Sequence, residues 1–167
     1  MMRKQKKVIL MGNFSVGKTS LIRRFVDNSF SDKYISTIGV KISKKIIEFN
    51  NKSITLLIWD IEGALDKIKR VNKTYIKGAN SAIIVSDVLS ENIIEDLKMN
   101  LDDLYSVNGF LPTIIAINKI DKNPDFQIDL DEIKSLYPSV VDSFFTSAKS
   151  GVNVENIFQK LIEEMEK

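Results

Sequence analysis

The octapeptide GNFSVGKT (12–19) constrains the fold more tightly than any other feature of the chain. It fits G-x-x-x-x-G-K-[ST]. It follows a short apolar run, KKVILM (6–11), and opens a segment, KTSLIRRFVDN (18–28), whose Leu21, Ile22 and Phe25 recur at helical spacing. Strand, Gly-bearing loop and helix in that order are the context the motif requires. Gly12 and Gly17 let the backbone curl until its N–H groups face phosphate oxygens, and the helix start adds positive partial charge. Lys18 is placed to neutralise β- and γ-phosphates, and the Thr19 hydroxyl to bind Mg²⁺. The blander reading, a chance Gly-rich turn, has to ignore both flanks.

The remaining pattern alternates. VKISKKIIEFN and KSITLLIWD flank Asn50-Asn51, a turn signal for an antiparallel hairpin. SAIIVSD (81–87) and TIIAINK (113–119) are buried, β-branched strands. Between them NIIEDLKMNLDDLYSV places Ile94, Leu97, Leu101 and Leu104 on one helical face. SFFTSAK reads as a last strand and VENIFQKLIEEME as a closing amphipathic helix with Asn153 as its N-cap. Strands alternating with helices predict an α/β fold, a parallel sheet with helices on both faces. Ligands of such sheets bind outside the carboxyl ends of the strands. The 167 residues, with no linker or repeat, are expected to form one domain.

Composition removes several chemistries. The chain has no Cys and no His, so thiolate catalysis, disulfides and imidazole acid–base chemistry are excluded, and any metal must be a hard cation on oxygen ligands. A net charge of +2 is too small to argue for nucleic acid, and RKQKK near the start reads as a solvated lead-in to the first strand. No apolar run reaches membrane-spanning length and no signal peptide is visible, so a cytoplasmic location is expected. Without Cys there is no site for prenylation or palmitoylation, and no lipid anchor is expected if Lys167 is the natural end.

NKID (118–121) specifies the base. The Asp121 carboxylate can accept two hydrogen bonds from N1–H and the N2 amino group of guanine. Adenine lacks that donor pair and would leave the acid unpaired, which makes an ATPase a poor reading. Asn118 can bridge to the base or to the phosphate loop, and Lys119 can lay its stem over the base plane. In SAK (147–149) the Ala148 N–H can reach the guanine O6. The tetrapeptide alone is weak; its placement at a strand end, after a phosphate loop, strengthens it.

From KVILMGNFSVGKTSLIRRF to SAKSGVNVENIF the chain resembles the Ras superfamily of small GTPases, most closely the Rab branch. YISTIGVKI (34–42) is similar to the Rab first switch, and YIKGANSAIIVSDV (75–88) to the helix and strand after the second. The resemblance implies a P-loop small G domain over 1–167, with a six-stranded, mostly parallel sheet and five helices. It implies a Mg²⁺-dependent GTP/GDP switch read by partner proteins. The nucleotide site would take in Asn13, Phe14, Ser15, Val16, Gly17, Lys18, Thr19 and Ser20. Phe30 would pack edge-on against guanine, its alternative being a core contact, and Tyr34 would close over the phosphates. Asn118, Lys119 and Asp121, with Ser147, Ala148 and Lys149, would hold the base. Thr37 would bind Mg²⁺ through its hydroxyl and the γ-phosphate through its N–H, a contact made only with GTP. Thr19, Thr37 and Asp60 would form the metal set, Asp60 through a bound water. Gly63 would offer its N–H to the γ-phosphate, so Lys18, Thr37 and Gly63 would be the catalytic groups. Ile42, Trp59 and Tyr75 match an apolar triad presented to effectors, the alternative being core packing. An exchange factor and a GTPase-activating protein are the further partners implied.

The second switch departs from the family's D-T-A-G-Q-E. It reads Asp60-Ile61-Glu62-Gly63-Ala64-Leu65. An alanine methyl cannot orient water, and residues 64 to 74 contain no Gln in any register. Asp66 is a candidate substitute. Glu62, beside the expected γ-phosphate and metal, would repel triphosphate, bind the cation or swing into solvent. Phe14 would obstruct the reacting phosphate and a partner's arginine, or pack outward on the second switch. The expectation is firm nucleotide binding with very slow unassisted hydrolysis. The alternative is a GTP-locked interaction module that does not cycle by its own chemistry.

Overall fold

The computed structural model describes residues 4–64 and 70–167. Strand β1 (Lys4–Gly12) begins two residues before the apolar run, because its polar start pairs with Ile54 to Leu56. Helix α1 (Lys18–Asp27) stops at Asn28, whose left-handed backbone directs its N–H to Arg24 O. The expected hairpin is present as β2 (Val40–Phe49) and β3 (Lys52–Ile61). Asn50 and Asn51 have φ of 49° and 60°, the positive pair that a two-residue type I′ turn needs. A short α2 (Lys73–Ile76), β4 (Ser81–Asp87), α3 (Ile93–Asn108) and β5 (Thr113–Asn118) follow. After α4 (Asp131–Leu136) the chain closes with β6 (Val140–Phe145) and α5 (Val154–Met165).

The strands form one six-stranded sheet in the order β2-β3-β1-β4-β5-β6, antiparallel only between β2 and β3. This is the six-stranded, mostly parallel sheet that the family resemblance implied. Two expectations are corrected. The last strand begins earlier than SFFTSAK and ends at Phe145, so SAK lies in the following loop. Asn153 occupies the N-cap position of α5, but its side chain makes no capping hydrogen bond. Its φ is 57°, and its amide donates instead to Phe145 O at 2.8 Å, tying helix to strand.

Alternation along the strands feeds two cores. Val8 and Leu10 of β1, Ile54, Leu56 and Ile58 of β3, and Val85 of β4 face α1 and α5. Ile9, Met11, Ile84, Ile115 and Ile117 face α3 and α4. Of the α3 face predicted from spacing, Leu97, Leu101 and Leu104 are buried and Ile94 is partly so. Phe25 of α1 stacks on Phe158 of α5 with centroids 3.8 Å apart. No helix among the described residues is long and apolar enough to cross a membrane. Strands β1, β3, β4 and β5 deliver Gly12, Asp60, Asp87 and Asn118 to one edge of the sheet. Phe158→Ala, which empties the seam between α1 and α5, is expected to cost about 3–5 kcal/mol in urea unfolding.

Candidate functional site

The loop after β1 is built to be completed by an anion. Among the described residues, no protein acceptor takes the backbone N–H groups from Ser15 to Ser20. They precede and open α1, where a helix leaves its first N–H groups unpaired. Gly17 has φ 100°, and a Cβ there would lie 2.3 Å from Asn118 Nδ2. Among the described residues the buried Lys18 ammonium donates to two carbonyls, Gly12 O at 2.9 Å and Asn13 O at 3.0 Å. Burial pushes its pKa down to about 8, against an upward pull from the Asp60 carboxylate. A phosphate would supply the negative charge that this ammonium lacks.

Three hard oxygens converge beside it. Thr19 Oγ1 and Thr37 Oγ1 are 2.8 Å apart, and Thr19 donates to Asp60 Oδ2. Thr37 Oγ1 lies 3.2 Å from the same oxygen. Asp60 is buried, and its Oδ1 has no hydrogen-bond partner among the described residues. The proposed metal set is therefore brought together. Its chemistry fits a small oxygen-loving cation. The described residues hold no cluster of three or more acidic ligands, so such a cation would share its shell with phosphate and water.

A cavity of about 360 Å³ runs from this point to the ends of β5 and β6. Asn118 is the hinge of its far end. Its Nδ2 donates to Val16 O at 3.0 Å, while its Oδ1 accepts the Thr146 hydroxyl at 3.1 Å and the Ala148 N–H at 3.3 Å. Asp121 Oδ1 accepts the Ser147 hydroxyl at 2.7 Å, which orients the carboxylate toward the cavity it lines. Lys119 crosses the site, its ammonium 2.7 Å from both Ser15 O and Asp87 Oδ2. Phe30 lines the cavity and also makes the core contact expected as its alternative. Lys149, Ser20 and Tyr34 line the cavity as well. Asn13, Val16 and Ser147 stand behind the wall and act through the residues they hold.

The two switches are arranged in ways that residue chemistry did not indicate. Past Asp60 the chain lies along the phosphate loop. Asn13 and Ala64 form a parallel bridge, and the Phe14 N–H donates to Ala64 O at 2.9 Å. Gly63 is pressed so close that a Cβ would lie 2.7 Å from Asn13 C and Phe14 N. Ala64 is 2% exposed. Glu62 turns to the first switch, a course not among the three considered for it. Its Oε2 accepts the Gly39 N–H at 3.1 Å, and its own N–H donates to Gly39 O at 2.8 Å. The Phe14 ring is turned toward the first switch. It meets Tyr34 of the first switch edge-on, with centroids 5.4 Å apart. Leu65 and Asp66 lie outside the described residues.

Supporting residues were missed because their partners are distant in sequence. Arg24 donates to Ala148 O at 2.8 Å and Lys149 O at 2.6 Å, holding the base loop on α1. Asn100 on α3 donates to Asn13 Oδ1 at 3.0 Å. One turn further, Asp103 receives a two-pronged contact from Arg70 at 2.6 and 2.9 Å. Asp87 at the end of β4 was findable, since strand-end acids point at ligand sites. In the apolar triad, Ile42 and Trp59 are opposed across the β2–β3 ladder. Ile42 is 50% exposed. Trp59 and Tyr75 are half-buried against the second core. The Lys7 ammonium sits 3.6 Å over the Trp59 ring and 2.7 Å from Tyr75 O. Burial lowers its pKa.

A sequence model of the Ras family matches residues 7–167. The chain belongs to the Ras family. Its relatives narrow the branch. It is 34% identical over 164 residues to Ras-related protein Rab-1C of Dictyostelium discoideum, covering 96% of this chain and 81% of that one. It is 34% identical over 161 residues to Ras-related protein Rab-2B of the same organism, at 95% and 79% coverage. GTP-binding protein YPTM1 of Zea mays is 33% identical over 154 residues, at 91% and 74% coverage. This Ras-family protein is thus a Rab-like small GTPase, of a family that binds guanine nucleotides and works through effectors and regulators. Gly63→Ala tests the contact between its second switch and its phosphate loop. The added methyl is expected to part Ala64 from Phe14, speed exchange of the Phe14 amide, and destabilise the fold by about 1–3 kcal/mol in urea.

Proposed function

We propose that this Rab-like GTPase binds GTP and GDP with Mg²⁺, as one G domain over residues 1–167, and hydrolyses GTP very slowly unaided. The observation that carries the slow step is Ala64. It is buried, and its carbonyl is engaged by the Phe14 N–H, so nothing there reaches toward a reacting phosphate. The binding parts are complete by contrast. The unanswered N–H groups and Lys18 suit the phosphates. Thr19, Thr37 and Asp60 suit Mg²⁺, which when bound neutralises phosphate charge. Asp121, held by Ser147, suits the N1–H and N2 edge of guanine.

In this family unassisted hydrolysis runs at roughly 10⁻⁴ s⁻¹, and a partner's arginine raises it by about 10⁵. Single-turnover hydrolysis of radiolabelled GTP by this chain is expected to have a half-life of hours or longer. A half-life of minutes, without any partner, overturns the reading. Ala64→Gln is expected not to rescue the rate, because position 64 is buried and its backbone is held against Asn13 and Phe14. The variant should hydrolyse within about threefold of the parent and lose about 1–3 kcal/mol of stability in urea. Asp121→Ala is expected to weaken GDP binding by at least about tenfold while leaving weak ADP binding unchanged, read by fluorescent-nucleotide titration.

The second reading, a GTP-locked module, is favoured by the Phe14 ring at the mouth of the site, where it faces Tyr34 and narrows the approach of a partner's arginine. The co-purifying nucleotide separates the two: GTP supports the locked module, GDP the slow switch. Under either reading effectors meet the first switch, the strands between the switches and the second switch, around Ile42, Trp59 and Tyr75. Exchange factors and activating proteins are the expected regulators. The protein works in the cytoplasm and reaches membranes through a protein partner.

A further inference from the structure

Two residues that depart from the family pattern, Phe14 and Glu62, both touch the first switch. The β2–β3 ladder runs in register to Val40 and Ile61. Glu62 carries it one step further, its N–H donating to Gly39 O at 2.8 Å. Its side chain then turns back, and Oε2 takes the Gly39 N–H at 3.1 Å. A small residue at 62 can make the first bond but not the second. Upstream, the Tyr34 ring rests against Phe14 at an interplanar angle of 71°, the edge-to-face arrangement that aromatic quadrupoles favour. These contacts bracket Thr37, whose hydroxyl is already turned inward to Thr19 and Asp60. Neither contact involves a phosphate.

A switch senses a γ-phosphate only if its inward position depends on it. A ligand without differential interaction with two states shifts nothing. We propose that the first switch of this protein carries its own fastenings, at Tyr34 by Phe14 and at Gly39 by Glu62. They hold the segment from Tyr34 to Gly39 inward with GDP as well as with GTP. A partner that reads this segment and the neighbouring Ile42 therefore meets much the same surface in both nucleotide states. The inference rests on the guanine-nucleotide reading above and sharpens it: discrimination between the two states is weakened at the first switch, whatever the hydrolysis rate.

The test uses ¹⁵N-labelled protein loaded with GDP or with a non-hydrolysable GTP analogue, occupancy being checked by chromatography of the released nucleotide. Failure to load either nucleotide overturns the nucleotide reading itself. With both forms loaded, exchange of the Gly39 amide is expected to differ between them by less than about fivefold. Glu62→Ala is expected to speed that exchange in the GDP form by more than about fivefold, with core amides such as Ile115 unchanged. Phe14→Ser should act in the same direction on the GDP form, through the other fastening. A larger difference between the two loaded forms of the parent overturns the proposal. So does a Glu62→Ala protein whose Gly39 amide in the GDP form exchanges at about the parent's rate.

Discussion

A buried ammonium with no anion hydrogen-bonded to it among the described residues is the condition around which the rest of the molecule is arranged. Lys18 lies at the start of α1, with Gly12 and Asn13 carbonyls as its hydrogen-bond partners. Next to it a row of backbone N–H groups is equally unanswered. Burying such groups costs free energy unless a partner arrives. The surroundings keep the loop open to that partner rather than letting it collapse. Asn118 holds Val16 O, Lys119 holds Ser15 O, and Asn100 holds Asn13. The loop is thus braced from the end of β5 and from α3 together.

The same bracing explains the position of the second switch. Continuing past Asp60 alongside β1, the chain reaches the loop at the height of Asn13 and Phe14. Gly63 is the residue that lets two backbones approach so closely. The bridge to Ala64 then follows from register, much as a ladder continues beyond the strands that began it. Arg70 and Asp103 secure the far side of this segment to α3. In such a setting the backbone at Ala64 is already occupied, its carbonyl taking the Phe14 N–H.

Local chemistry was readable wherever sequence neighbours decide it. The phosphate loop, the Asn50-Asn51 turn, the buried strands and the apolar face of α3 all rest on short-range patterns. The short helices α2 and α4 span too few turns for periodicity to mark them. The β6 boundary shifted because Val140 pairs with Thr113, ahead of a register shift that precedes Asp142 and that sequence does not advertise. Asn153 looked like a cap by type, yet its backbone took the left-handed conformation and its amide reached across to Phe145. The contacts of Glu62 and Phe14 were hidden for a different reason. Gly39 and Tyr34 lie far from them along the chain. Only the sheet register and the path of the first switch bring them near.

The grip of Arg24 on the Ala148 and Lys149 carbonyls has a consequence for nucleotide choice. One helix, α1, carries Lys18 and Thr19 at its beginning and this clamp further along. The base loop and the phosphate loop are consequently parts of one rigid piece, and their spacing is set by the rise of a helix. A ligand that reached both loops at once would have to match that fixed span, much as an object fits between the jaws of a caliper.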